Sequence, residues 1–241
     1  MIARDLLASR LGCLLVSAAL AIIFVARSTV HRVAYVSELG ADGEPTARWF
    51  EVALLLIVVG GSLIAWAGRG VRSRARILKL WTPAVSLWVG CAFFLGASQV
   101  PCTSGCPLPV GPSFTPQDLA HTLMAVLAFT AACTAMLQSA FARGHRMLAR
   151  LSLAAGISVA VVAATGGILS LLRFGTNVGS VLELVATAIS ISWLVVFGLT
   201  AARGMRPVAA PVTAGITVPV TAVAAESAVL GARPHRTPEA V

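Results

Sequence analysis

The feature that most constrains this chain is a set of six apolar runs, each close to the length of a membrane crossing. They are Leu11 to Ala26, Trp49 to Ala67, Leu80 to Val100, Leu119 to Phe141, Leu151 to Leu172 and Val181 to Ala202. A hydrocarbon core about 30 Å thick, divided by a helical rise of about 1.5 Å per residue, asks for about 20 such residues. Inside lipid every backbone amide must pair within its own segment, so each run is expected to be a helix. The expected fold class is therefore all-α, a polytopic transmembrane bundle of six helices. The first run is short, and it can lengthen past Arg27 if that side chain reaches back to the interface. Composition agrees: 58% of residues are hydrophobic and 11% charged, with a mean hydropathy of +0.90. A soluble domain carries about 25% charged residues, and a disordered chain needs low hydrophobicity. Both classes are excluded.

The net charge of +9 invites a nucleic-acid reading, but the aromatic residues sit inside the apolar runs instead of alternating with Arg. Topology accounts for the charge. Arg4, Arg10, Arg69, Arg72, Arg74, Arg76, Lys79, Arg143, Arg146, Arg150, Arg203, Arg206, Arg233 and Arg236 fall on one side of a six-span arrangement, leaving Arg27, Arg32, Arg48 and Arg173 on the other. Lys and Arg gather in cytoplasmic segments, so both termini are expected in the cytoplasm and the odd-numbered connections outside. Arg4 and Arg10 ahead of an apolar run also resemble a secretory signal. No small-x-small site follows cleanly, and a second apolar run soon comes after, so the first run is read as an uncleaved anchor. The preference for Arg over Lys suggests a GC-rich bacterium, and the expected location is the bacterial cytoplasmic membrane.

The outer connection from Val100 to Pro116 is the most distinctive stretch, with Pro101, Pro107, Pro109, Pro112 and Pro116 in its sixteen final residues. Such a density of proline forbids helix or sheet interior and makes a stiff cap. Cys102 and Cys106 lie in it, on the oxidising side of the expected topology, and are expected to form a disulfide worth ~2 kcal/mol in loop entropy. A thiol oxidoreductase or a metal site is the alternative, but redox enzymes of that kind favour two residues between the cysteines, and no His or further Cys is expected nearby to complete a zinc set. The six-span domain is expected to cover 1–206. From Pro207 the composition turns to Pro, Ala, Val and Thr without helical period, so 207–241 is expected to be a disordered cytoplasmic tail.

Ionisable residues cluster at one depth. Asp118 and His121, three apart, share a helical face at the outer start of span four. Thr115-Pro116-Gln117-Asp118 also has the form of a capping box, and Ser180-Val181-Leu182-Glu183 repeats it at the start of span six. Glu51 lies at the outer end of span two, where Arg48 can pair with it, and Arg173 ends span five. Together with Glu38 these residues are candidates for one polar vestibule, since ionisable groups at membrane depth are functional candidates by default. A single membrane-region His supplies neither a bis-His haem pair nor a three-His zinc site, so no metal and no cofactor are expected. Gly156, Ala160 and Ala164 recur every four residues in span five and suggest a close-packed helix interface. The basic link from Arg69 to Lys79 can meet anionic head groups at roughly 1 kcal/mol per charge.

Ser37-Glu38-Leu39-Gly40, then Gly43-Glu44-Pro45-Thr46 and Trp49-Phe50, then a proline-bearing outer loop leading into Asp118 and His121, give a chain that resembles the prokaryotic integral membrane family known as domain of unknown function 998. The resemblance spans about residues 10 to 203 and implies a membrane domain of six-helix type with no established activity. The expected role is accordingly non-enzymatic: an integral membrane protein that binds a lipid head group or small solute in an outward-facing vestibule lined by Glu38, Glu51, Asp118, His121, Arg173 and Glu183, with membrane lipids as its partners. The alternative is a membrane-embedded lipid-modifying enzyme with His121 as base, oriented by Asp118.

Overall fold

The computed structural model describes residues 2–107, 111–172 and 174–204. Six α-helices follow in order: α1 (Ile2–Thr29), α2 (Ala47–Ala67), α3 (Pro83–Gln99), α4 (Pro116–Ala140), α5 (Arg146–Leu171) and α6 (Thr176–Gly204). Among the described residues the only β pairing is an isolated bridge between Ser73 and Ala142. Five of the helices are long and apolar enough to cross a membrane; α3, with 17 residues, is apolar but shorter. The chain is a multi-pass membrane protein. The expected tail, 207–241, lies outside the described residues.

Helix ends differ from the apolar runs where polar side chains find partners. α1 begins nine residues before Leu11 because Asp5 pairs with Arg69, at 2.9 and 3.1 Å, and Ser9 Oγ donates to the Gly198 carbonyl at 2.7 Å. α3 starts only at Pro83, since Thr82 caps it from an extended conformation and Pro fits the first helical position. α4 starts as its sequence suggests, with Thr115 Oγ1 accepting from the Asp118 amide at 3.1 Å. The box expected at Ser180 is not a helix start: α6 begins four residues earlier at Thr176, and Ser180 Oγ donates to the Asn177 carbonyl. An interior turn has no free amides to cap, which releases Glu183 for another task.

Each helix packs on its neighbours in sequence, and α1 packs on α6, so the six close into a ring. The tightest seam joins α1 to α2. A Cβ on Gly12 would lie 2.6 Å from the Gly60 carbonyl oxygen, and one on Gly60 would lie 2.8 Å from that of Gly12. These two glycines let the backbones touch. The stripe expected to pack closely along α5 does not do so: Ala160, Ala164 and Gly167 are exposed, and of its glycines only Gly156 approaches a neighbour, Met136 on α4, while the close approach of α5 to α6 is made at Gly166, outside the stripe. Small residues permit close approach without compelling it. Across the ring, buried polar pairs fix helix register: Ser86 Oγ donates to Gln138 Oε1 at 2.9 Å between α3 and α4, and Trp193 Nε1 donates to Ser152 Oγ at 2.9 Å between α6 and α5.

The two ends of the ring differ. At one, the connections α2–α3 and α4–α5 exchange backbone hydrogen bonds, Arg74 to the Phe141 carbonyl and Arg143 to the Arg72 carbonyl. At the other, a short 3-10 helix (Ser37–Gly40) from the α1–α2 connection and the cysteine loop from the α3–α4 connection lie together, with the Asp42 amide donating to the Cys102 carbonyl at 2.9 Å. This second end is called the cap below.

Candidate functional site: a capped cavity inside the helix ring

A closed ring of helices leaves space along its axis unless large side chains fill it. Here small residues face inward, and a cavity of about 110 Å³ remains, lined by α1, α2, α3, α4 and α6. Its wall is mainly apolar, with Phe50, Leu54, Phe94, Phe129, Ile191 and Trp193 among the larger contributors. Among the described residues only two ionisable side chains other than a thiol reach it, His121 and Glu183, and both belong to the cap end of their helices.

Each is held by backbone. Glu183 accepts from the Val36 amide at 2.7 Å and the Ser37 amide at 3.3 Å, so α6 and the α1–α2 connection are tied by one carboxylate. The imidazole of His121 is buried, and its Nδ1 lies 2.8 Å from the Val100 carbonyl. A carbonyl only accepts, so Nδ1 carries the proton and donates. Asp118, one turn before His121, is 1% exposed. Its carboxylate accepts from the Thr103 amide at 2.8 Å, from Thr103 Oγ1 at 3.1 and 3.0 Å and from Thr115 Oγ1. Those bonds strap the cysteine loop to the first turn of α4.

Of the six residues expected to form one vestibule, the structure brings His121 and Glu183 to the cavity and leaves Asp118 beside it. Glu38 does not line the cavity. It accepts from Arg32 and, at 3.3 Å, from the Tyr35 amide, while the same guanidinium donates to Glu44 at 2.7 Å. These bonds, Glu38 first, raise the pKa of Arg32 above its ordinary value. Glu51 is exposed on α2, because Phe50 beside it takes the inward position, and among the described residues no ion pair joins it to Arg48. Arg173 lies outside the described residues.

Cys102 and Cys106 form the expected disulfide, their Cα atoms 5.0 Å apart. Gly105, at φ +76°, turns the loop tightly enough to bring them together. The expectation that no His sits near this pair is overturned: both sulfurs and a ring nitrogen of His121 lie within 4.8 Å of one another. The strap from Thr103 to Asp118 draws the loop onto α4, a contact that linear spacing does not reveal.

Beside Glu183, sequence reasoning missed the rest of the polar face of α6: Thr187 and Ser190 also line the cavity. Thr187 Oγ1 donates to the Glu183 carbonyl at 2.9 Å, whereas buried Ser190 Oγ has no partner among the described residues. Their i, i+4, i+7 spacing was the available signal.

The model of the family described as "Protein of unknown function (DUF998)" matches residues 11–200. The match covers well over half of the chain, which therefore belongs to that family. No curated protein and no solved structure matches it.

Proposed function

We propose that this DUF998 protein is a binding protein whose helix ring takes up the apolar part of a small amphiphile or lipid from the membrane, with the polar group of that ligand met at the cap by His121 and Glu183. One observation carries this reading: a mainly apolar cavity that has an imidazole and a carboxylate at the same end. Size bounds the ligand. Pockets for drug-sized molecules run to about 300–1,000 Å³, while an apolar cavity of about 150 Å³ accepts benzene. The 110 Å³ here suits a ring or a short alkyl segment, with the remainder of the ligand outside. Unpartnered Ser190 Oγ offers a further polar contact deeper in the wall. The distribution of Arg supports a cap that faces away from the cytoplasm of a bacterial cell, with both termini inside. The hydrogen bonding favours binding over catalysis. Asp118 is committed to Thr103 and Thr115, and His121 Nδ1 to Val100, so the pair does not form the hydrogen-bonded dyad that a His base oriented by Asp needs.

Mass spectrometry of an organic extract of gently purified protein tests the reading. One small molecule should be enriched over a control membrane protein, and Ala128→Leu, which adds bulk to a fully buried cavity wall position, should remove it while the helix content stays unchanged. Enrichment of nothing, or equal retention by the filled variant, would refute it.

A further inference from the structure

We infer that Cys102, Cys106 and His121 become a three-donor site for a thiophilic cation of the Zn²⁺ class when the disulfide is reduced. The donor atoms already lie within 4.8 Å of one another, and the two cysteine Cα atoms are 5.0 Å apart. Zinc holds thiolate sulfur at about 2.3 Å and imidazole nitrogen at about 2.0–2.1 Å, which places neighbouring donors of a tetrahedral site about 3.3–3.8 Å apart. The sulfurs have to part once the bond between them is gone, and the imidazole has to close onto them. Metal-bound imidazoles typically give their other N–H to a carbonyl or carboxylate, which fixes the ring. His121 already makes that bond, through Nδ1 to Val100.

Charge supplies an independent reason. Asp118 stands one turn from His121 with 1% of its surface exposed, and Glu183 shares the cavity wall with His121. Among the described residues, neither carboxylate takes part in an ion pair. A carboxylate as buried as that of Asp118, without a counter-charge, favours a cation beside it. With three protein donors, the fourth position is open to water, as in a catalytic zinc site.

The chemistry balances with a dithiol as reductant. The dithiol passes two electrons and two protons to the Cys102–Cys106 bond, leaving two protein thiols and its own disulfide. The cation then displaces both thiol protons, so binding releases two protons per site and strengthens as pH rises. The oxidised chain lacks both thiolates and does not bind.

Cobalt(II) is the probe. Full-length protein in detergent is reduced with a phosphine, freed of it without air, and titrated with Co²⁺ while absorbance follows thiolate-to-cobalt charge transfer. The reduced protein should show that band at one equivalent and lose it on addition of Zn²⁺; the oxidised protein should show none. Cys106→Ser should lose the band, and His121→Ala should bind cobalt more weakly at unchanged helix content. If Cys106→Ser does not fold, alkylation of the reduced wild-type protein takes its place. Absence of the band in folded reduced protein, or cobalt binding indifferent to His121→Ala, overturns the inference.

Discussion

Replacement of Gly12 by Ala probes the seam that begins the ring. The added Cβ would lie 2.6 Å from the Gly60 carbonyl oxygen, 2.8 Å from Ile64 Cγ1 and 3.2 Å from the Ile64 nitrogen. Ordinary heavy-atom contacts sit at about 3.5–4.0 Å. Two of these three neighbours are backbone atoms inside a helix, which cannot swing aside as a side chain can. α1 and α2 must therefore separate locally by about 1 Å, and overpacking of that kind costs about 1–3 kcal/mol. Against it stands a helix-propensity gain of up to about 1 kcal/mol on replacing Gly by Ala. Gly167 on α5 isolates that gain, because it is exposed and a Cβ there meets nothing within 4 Å. Gly12→Ala should be destabilised by about 0–2 kcal/mol and Gly167→Ala unchanged or slightly stabilised. For a domain of this size each kcal/mol moves Tm by about 2–4 °C. Thermal unfolding in detergent, read by circular dichroism and size-exclusion recovery, should therefore separate the two variants by several degrees. A Gly12→Ala protein that melts at or above Gly167→Ala would refute backbone contact between α1 and α2.

Two further outcomes follow from the same structure. Ser152→Ala leaves the buried Trp193 indole N–H without its acceptor; the cost should be about 1–3 kcal/mol, read as a lowered Tm with wild-type helix content. For topology, a membrane-impermeant maleimide applied to intact cells should label Arg48→Cys, at the exposed cap end, and spare Arg143→Cys, at the exposed opposite end; the reverse pattern would invert the assigned orientation.

What the sequence made legible depended on how local the governing physics is. Lipid demands a run of apolar residues wherever a helix crosses, so the positions of the helices could be read from hydropathy. Their ends could not, because α1 is extended by Asp5 and Ser9, whose partners Arg69 and Gly198 are 64 and 189 positions away. Asp118 and His121 were found from their three-residue spacing, and their proximity survived in the fold. Glu183 was read both as a vestibule candidate and as a local cap; the cap reading fails, because its partners are amides 147 and 146 positions distant. Glu51 looked like a wall residue because its depth was right, yet depth along a helix says nothing of the face, and Phe50 holds the inward one. The ring order, which decides what shares the cavity, has no sequence signature at all. Among small residues, Gly12 and Gly60 matter more than the regular stripe at Gly156, Ala160 and Ala164, since the partner surface decides which glycine is used.

The contact of α1 with α6 also has a consequence for biogenesis. The hydrogen bond from Ser9 to Gly198 joins the first to the sixth of the described helices, so an emerging chain holds an open arc of helices until α6 has entered the bilayer. Until then Ser9 and Cys13, buried in the finished protein against Gly198 and Val195 of α6, lack those partners. A chain stalled or truncated before α6 would display that edge of α1 to lipid, to other nascent helices and to the proteases that survey the membrane. The sixth helix thus decides whether the first is kept.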